Sequence, residues 1–271
     1  MLPKPLETHS HPLSSKVRQQ VKTLQSSPVL PSIPQLSEEE FYVAYVQKTK
    51  EELKQEAEYP QGSQEWLESR RYVFTASDFH AALGLSQYKS QDEFIHSKIH
   101  NTFVGNEATE WGSFHEKDAN MEFETWFTHC IEDMYKAHGK HFDSSCIHFY
   151  SMNLVRHESS CWMGVSPDRL VKWIHPTEGE RTDLIEYKCP YKYSRGHPYA
   201  KHPNNIPDYY MTQMQGIAGY LQPIHTIWFV VWTPKMLWIT HVPVDTAMYN
   251  AIVTQLKEVY FKKFLPTLLN K

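Results

Sequence analysis

Two carboxylates set inside short apolar runs constrain this chain more than any other feature of its sequence. Between Gly164 and Pro190, the residues Val165, Leu170, Val171, Trp173 and Ile174 flank Asp168, and Leu184, Ile185 and Tyr187 flank Glu186. Runs of this length and composition predict buried strands. An ionised carboxylate in a buried strand is costly unless something pairs with it, and two brought together repel unless a cation lies between them. A divalent metal answers both problems. Strand alternation puts Glu186 and Lys188 on one face and Tyr187 on the other, so carboxylate and ammonium converge. Asp168 and Glu186 offer the hard oxygen ligands that Mg²⁺ or Mn²⁺ takes, and Lys188 can hold or deprotonate a water beside the ion. This is the equipment of phosphodiester hydrolysis. The competing reading is an ordinary hairpin with a surface Asp and a Glu-Lys pair, and Glu-x-Lys alone is too common to decide between them.

At 271 residues, 41% hydrophobic and 14% aromatic, the chain can bury one sizeable core with a small appendage. A net charge of −4 with His neutral provides no global basic field for a nucleic acid, so any such surface is local. Cys130, Cys146, Cys161 and Cys189 form no C-x-x-C pair, and there is no secretory h-region or long apolar run. The expectation is a soluble intracellular protein, in the nucleus or cytoplasm of a host cell, with free thiols and no membrane partner. Cys130, His138, His141 and Cys146 match no usual zinc spacing.

Residues 1–36 are rich in Pro, Ser and Gln without hydrophobic periodicity, which predicts a disordered tail. Residues 37–62 form an N-terminal helix and linker: Ser37-Glu38-Glu39-Glu40 is a capping box, and the helix it opens runs through Phe41, Tyr45 and Leu53 to about residue 59, its half from 48 to 58 charged and solvated. The globular domain spans 63–271. In it Ser77 caps a short helix through Leu83, and Ser90-Gln91-Asp92-Glu93 opens a helix to about residue 100. His96 and His100 on that helix lack a third ligand. A helix over 107–127 carries Trp111, Phe114, Met121, Trp126 and Phe127 for packing, with Glu116 in its middle.

Strands are predicted over 147–155, 169–174 and 183–188. Residues 191–205 read as a loop in which Lys192, Arg195 and Lys201 mix with tyrosines and histidines. Such a mixture suits phosphates and exposed bases, and suits a polar surface loop equally well. A helix over 207–221 follows, with Tyr210, Met214, Ile217 and Leu221 on one stripe and Gln213 beside it. Strands over 226–232 and 237–242 and an amphipathic helix over 245–265 close the chain. Stripped of appendages, the order is helix, three strands, helix, strand: an α/β layer with the acidic strands in its sheet.

These residues, taken in order, resemble the phage lambda-type exonucleases, the YqaJ-like viral recombinase or alkaline exonuclease family of the PD-(D/E)xK nuclease superfamily. The likeness runs through Trp66, Arg70 and Thr75-Ala76-Ser77, then Trp111-Gly112 with Glu116 and Asp118-Ala119. It continues through Ser166-Pro167-Asp168, Glu186-Tyr187-Lys188-Cys189-Pro190 and Tyr210-Met211-Thr212-Gln213-Met214-Gln215. Five pieces in the right order are specific where each alone is not.

The resemblance implies a restriction-endonuclease-like core (αβββαβ) with additional N-terminal and C-terminal helices, and an exonuclease domain over 63–271. It implies that Asp168, Glu186 and the backbone carbonyl of Tyr187 hold Mg²⁺ or Mn²⁺, with Glu116 in the same cluster as a ligand or a metal-water partner, that Lys188 positions the attacking water, and that Gln213 lines the site. Arg70, Ser77 and Ser166 match positions that grip a 5′-phosphate. The family digests duplex DNA from 5′ ends to mononucleotides in recombination, often as a ring-shaped trimer beside a single-strand annealing protein. Arg169 stands where many relatives have Gly, so the turn differs there or Arg169 itself touches the DNA backbone. An endonuclease or RNA-directed nuclease on the same site, or a catalytically inactive DNA-end-binding module, are the rival readings. Retention of Glu116, Asp168, Glu186 and Lys188 speaks against the last, because buried acids without metal work only cost stability.

Overall fold

A computed structural model describes residues 37–100, 105–194 and 206–270. The tail over 1–36 and the loop cations Arg195 and Lys201 lie outside the described residues. Helices α1 (Glu38–Phe41), α2 (Lys50–Ala57) and α3 (Gln64–Ser69) lead to the short strand β1 (Phe74–Thr75), then α4 (Phe79–Ala82), α5 (Gln91–His100) and the long α6 (Glu107–Ala137). Strands β2 (Ile147–Tyr150), β3 (Met163–Gly164), β4 (Arg169–His175) and β5 (Gly179–Lys188) follow. The chain ends with α7 (Tyr191–Ser194), α8 (Asp208–Leu221), β6 (Thr226–Thr233), β7 (Met236–Pro243), α9 (Thr246–Val259) and α10 (Leu265–Leu269).

The main sheet has the order β2-β4-β5-β6-β7. Its pairs are antiparallel except β5 with β6, which run parallel. A parallel neighbour needs a crossover, and α8 provides it. The antiparallel β4–β5 hairpin closes at Gly179, whose φ of 91° lies in the region open to glycine. The chain thus carries the expected order of helix, three strands, helix and strand in α6, β2, β4, β5, α8 and β6, with β7 added at the edge.

The two faces of β5 have different work. Ile185 and Tyr187 point toward α6, where Ala119, Phe123, Phe127, Ile131 and Tyr135 recur every four residues and pack against Val171, Trp173, Val230 and Trp232. Burying a side chain such as Phe123 or Phe127 is worth about 1.5–3 kcal/mol. Glu186 and Lys188 therefore point to the opposite face, toward α8. A second, two-stranded sheet pairs β1 in parallel with β3, setting Thr75 opposite Gly164. Gly164 is needed there: a Cβ would stand 2.9 Å from Arg156 Cγ and 3.0 Å from Leu154 Cδ1.

Several boundaries differ from the expectations, each for a local reason. The helix expected over 38–59 breaks after Val46, because Thr49 starts a new one with its own capping box, Glu52 N–H to Thr49 Oγ1 and Thr49 N–H to Glu52 Oε2. Its far half is not wholly solvated: Leu53 and Glu56 are buried, and Glu56 pairs with Arg156 at 2.6 Å. Helix α6 continues ten residues past Phe127, since Ile131 and Tyr135 extend its apolar stripe. The strand from Ile147 stops at Tyr150, and Val155 meets Val165 in an isolated bridge. Thr75, not Ser77, closes the capping box before α4, with Asp78 as its acidic partner. The loop from residue 191 begins with the helical turn α7. The last helix passes through a π turn over Tyr260–Phe264 and ends at Leu269 rather than 265.

Candidate active site

Glu186 sits in the middle of the sheet on β5, with none of its surface exposed. Its Oε1 accepts hydrogen bonds from Lys188 Nζ and Gln213 Nε2, both at 2.5 Å. Its Oε2 is buried with no hydrogen-bond partner. Asp168 lies just before β4, and its Oδ2 accepts the Tyr187 backbone N–H at 2.8 Å. The sheet register is consistent with this contact, because Arg169 pairs with Ile185 and the preceding Asp168 falls opposite Glu186, next to the residue whose N–H it accepts. Tyr187 turns its ring to the other face, where its hydroxyl donates to Asn120 Oδ1 at 3.0 Å.

The electrostatics are those of acids crowded into a dry place. Burial, followed by the neighbouring Asp168 charge, pushes Glu186 up to about 8 and Glu116, from α6, up to about 7. Burial also raises Asp168 above the usual carboxylate range, against the pull of Lys188. Burial works against the charged form of Lys188, but Glu186 and Asp168 outweigh it and hold the ammonium protonated beyond its ordinary range. The Lys188 Nζ also lies 4.9 Å from the centre of the Tyr210 ring. Among the described residues no three His, Cys, Asp or Glu side chains stand close enough to hold a metal ion as they are. The donor set nevertheless fits a hard divalent cation: three electrostatically linked carboxylates, one with an orphaned buried oxygen, meet the need such an ion fills.

A second group of side chains gathers at β1. Arg70 follows α3, and its guanidinium stacks 4.0 Å from the centre of the Trp66 ring. Arg70 Nη2 donates to Thr75 Oγ1 at 3.0 Å and reaches Ser77 Oγ at 3.4 Å. The helical ion pair that would make Arg70 an ordinary surface residue is made by its neighbour: Arg71 pairs with Glu68. The β1–β3 pairing sets Thr75 opposite Gly164, two residues before Ser166-Pro167-Asp168, and the Ser166 hydroxyl is buried without a hydrogen-bond partner.

A model of the YqaJ-like viral recombinase domain matches residues 65–219, more than half of the chain. The chain belongs to this family. This YqaJ-family chain is also similar to the crystal structure of an alkaline exonuclease from Laribacter hongkongensis, with 21% identity and a TM-score of 0.51 over 77% of this chain and 95% of that one. The structure of the same enzyme in complex with dAMP gives 20% identity over the same shares, again with a TM-score of 0.51. At that identity the likeness is one of fold, and the fold is restriction-endonuclease-like. No curated protein matches.

Three features of the YqaJ-family site were not legible in the sequence. Asp78 and Lys98 form an ion pair at 2.7 Å beside the Arg70 group. Burial disfavours the Asp78 charge, yet Lys98 keeps its carboxyl below the usual range. Tyr210, expected as packing, also serves as a ring beneath Lys188. Arg169 is tied inward, to Glu124 at 2.5 Å and to Ser151 Oγ at 2.7 Å. Lys192 is exposed on α7. Only the helix-terminal spacing of Thr75 and Asp78 offered a local signal for any of these. Lys98 lies twenty residues further along and announces nothing by itself.

Proposed function

We propose that this chain is a metal-dependent 5′-to-3′ exonuclease of double-stranded DNA that hydrolyses phosphodiester bonds to 5′-mononucleotides, in viral or mobile-element DNA recombination, replication or processing. One observation carries the reading. A buried acidic centre with an unpartnered Glu186 oxygen includes Asp168, four residues after the Gly164 that the β1–β3 pairing sets opposite Thr75 of the Arg70 group. The first suits a divalent cation and the second a terminal phosphate. The likeness to an alkaline exonuclease solved with dAMP is consistent with it.

Glu116, Asp168 and Glu186, with the Tyr187 carbonyl, would hold Mg²⁺ or Mn²⁺. Such an ion would lower the pKa of bound water and offset charge on the scissile phosphate. Gln213 fixes the rotamer of Glu186 through its 2.5 Å bond. Lys188, whose Nζ donates to Glu186 Oε1, would hold or deprotonate a water beside the ion. Arg70 offers a planar donor fork to the 5′-phosphate, with Ser77 and Ser166 as hydroxyl donors. Lys192, Arg195 and Lys201 neutralise backbone phosphates of the duplex. The test is digestion of linear and of closed circular duplex with Mg²⁺ and with a chelator. The reading expects Mg²⁺-dependent loss of the linear form alone. Cleavage of the closed circle, or digestion that survives chelation, would contradict it.

A further inference from the structure

The Asp78–Lys98 pair is bonded into the Arg70 group in a way that gives it control of that group. Asp78 Oδ2 accepts three hydrogen bonds, from the Thr75 N–H at 2.9 Å, the Thr75 hydroxyl at 2.8 Å and Lys98 Nζ at 2.7 Å. Thr75 has one hydroxyl proton, and the carboxylate takes it. Thr75 Oγ1 is thereby an acceptor toward its remaining neighbours, Arg70 Nη2 at 3.0 Å and Ser77 Oγ at 3.2 Å. The carboxylate thus sets the direction of the Thr75–Ser77 hydroxyl bond and turns the Thr75 lone pairs toward the Arg70 donors.

That arrangement carries a hazard, because Asp78 is an anion one hydroxyl away from the arginine. A bare carboxylate there would draw the guanidinium into an ion pair and repel an incoming phosphate. Lys98 reaches across from α5 and offsets it. Its side chain is 15% exposed and that of Asp78 is 19%, so solvent screens the pair far less than a surface pair. With the two charges balanced, the positive charge of Arg70 remains available.

We propose that Lys98, acting through Asp78 and Thr75, is a positioning residue that keeps the Arg70 fork open for a 5′-terminal phosphate and so sets the preference for phosphorylated over hydroxyl ends. This rests on Arg70 being the group that reads the 5′-phosphate. The readout is the ratio of initial rates on 5′-phosphorylated and 5′-hydroxyl duplex, which a loss of folded protein lowers in numerator and denominator alike. Lys98→Met should reduce the ratio at least about threefold, and Lys98→Arg should retain it, as expected for residues coupled through shared partners. Asp78→Asn combined with Lys98→Met removes both charges together and should bring the ratio back to within about twofold of wild type.

Melting curves accompany each variant. Should Lys98→Met alone fail to fold, the charge-free pair decides: a ratio collapsed in that pair overturns the inference. A ratio unchanged in folded Lys98→Met overturns it too, while leaving the Arg70 reading standing if Arg70→Ala still abolishes the preference. A preference that survives Arg70→Ala overturns both.

Discussion

Asp168, just before β4, and Glu186, on β5, are both raised by burial above the usual carboxylate range, and both stand out in the sequence. Asp168 and Glu186 are legible because a charged residue inside an apolar strand run has few reasons to exist. Asp168→Asn or Glu186→Gln removes charge with little change of shape. Each should leave a folded, DNA-binding protein with turnover reduced at least about a hundredfold, measured by nucleotide release at saturating duplex. Arg70 makes a different kind of contribution, since charge-assisted hydrogen bonds are worth about 1.5–3 kcal/mol each. Arg70→Ala should slow digestion of 5′-phosphorylated ends roughly ten- to a hundredfold and affect hydroxyl ends much less. Arg70→Lys should recover part of the loss, because a point charge lacks the fork. Equal slowing on both ends would return Arg70 to a structural role on Trp66. Asp78 and Lys98 were not legible because an ion pair twenty residues apart leaves no periodic trace.

At the scale of elements, some local signals were read correctly, while the equally local Thr49–Glu52 and Thr75–Asp78 boxes were passed over in favour of one longer helix and of Ser77. The β5 alternation and the Ser37 and Ser90 boxes are of the first kind. The reading also failed where a distant partner decided the outcome. Residues 48–58 look like a solvated charged helix, yet Glu56 is buried because Arg156, a hundred residues away, pairs with it and also donates to the Cys161 and Val46 carbonyls. Breaking a buried pair by removing one partner destabilises by about 3–5 kcal/mol, so Glu56→Ala should lower stability in denaturant titration by that order. The length of α6 was underestimated because the stretch after Phe127 alternates charge with its two remaining core residues. Phe127 faces Phe149, Trp173 and Trp228 at ring separations of 5.7–5.8 Å. Phe127→Ala should cost about 3–5 kcal/mol, and a loss under about 1 kcal/mol would mean that α6 is not seated as described.

At the scale of the whole molecule, the proposed metal site would join stability to metal binding through the acidic centre. Glu186 and Glu116 have folded-state values of about 8 and about 7 against an ordinary 4.5. Both are raised, so their contribution to ion-free stability is fully present below about pH 4.5 and is lost as pH rises through about 7 to 8. A divalent ion held by these acids would replace those protons and so would bind better as pH rises. The melting temperature gained on adding Mg²⁺ should be near zero at about pH 5.5 and reach roughly 5 °C or more at about pH 8.5. A gain independent of pH would place the ion elsewhere. A net charge of −4 does not by itself point to a nucleic-acid partner. On the proposed function it is the local placement of Arg70 and Lys188 that would meet phosphates, and no composition count reveals placement.

The most direct measurement follows a single labelled end. A linear duplex carrying a 5′-phosphate and a labelled 5′-terminal nucleotide on one strand is digested in Mg²⁺, and the size of the labelled product is recorded from the first turnover. The site described here predicts that the label appears at once as a 5′-mononucleotide, while a label on the 3′-terminal nucleotide of the same strand stays in long products. Early release of the 3′ label, or a 5′ label retained in longer fragments, would contradict it.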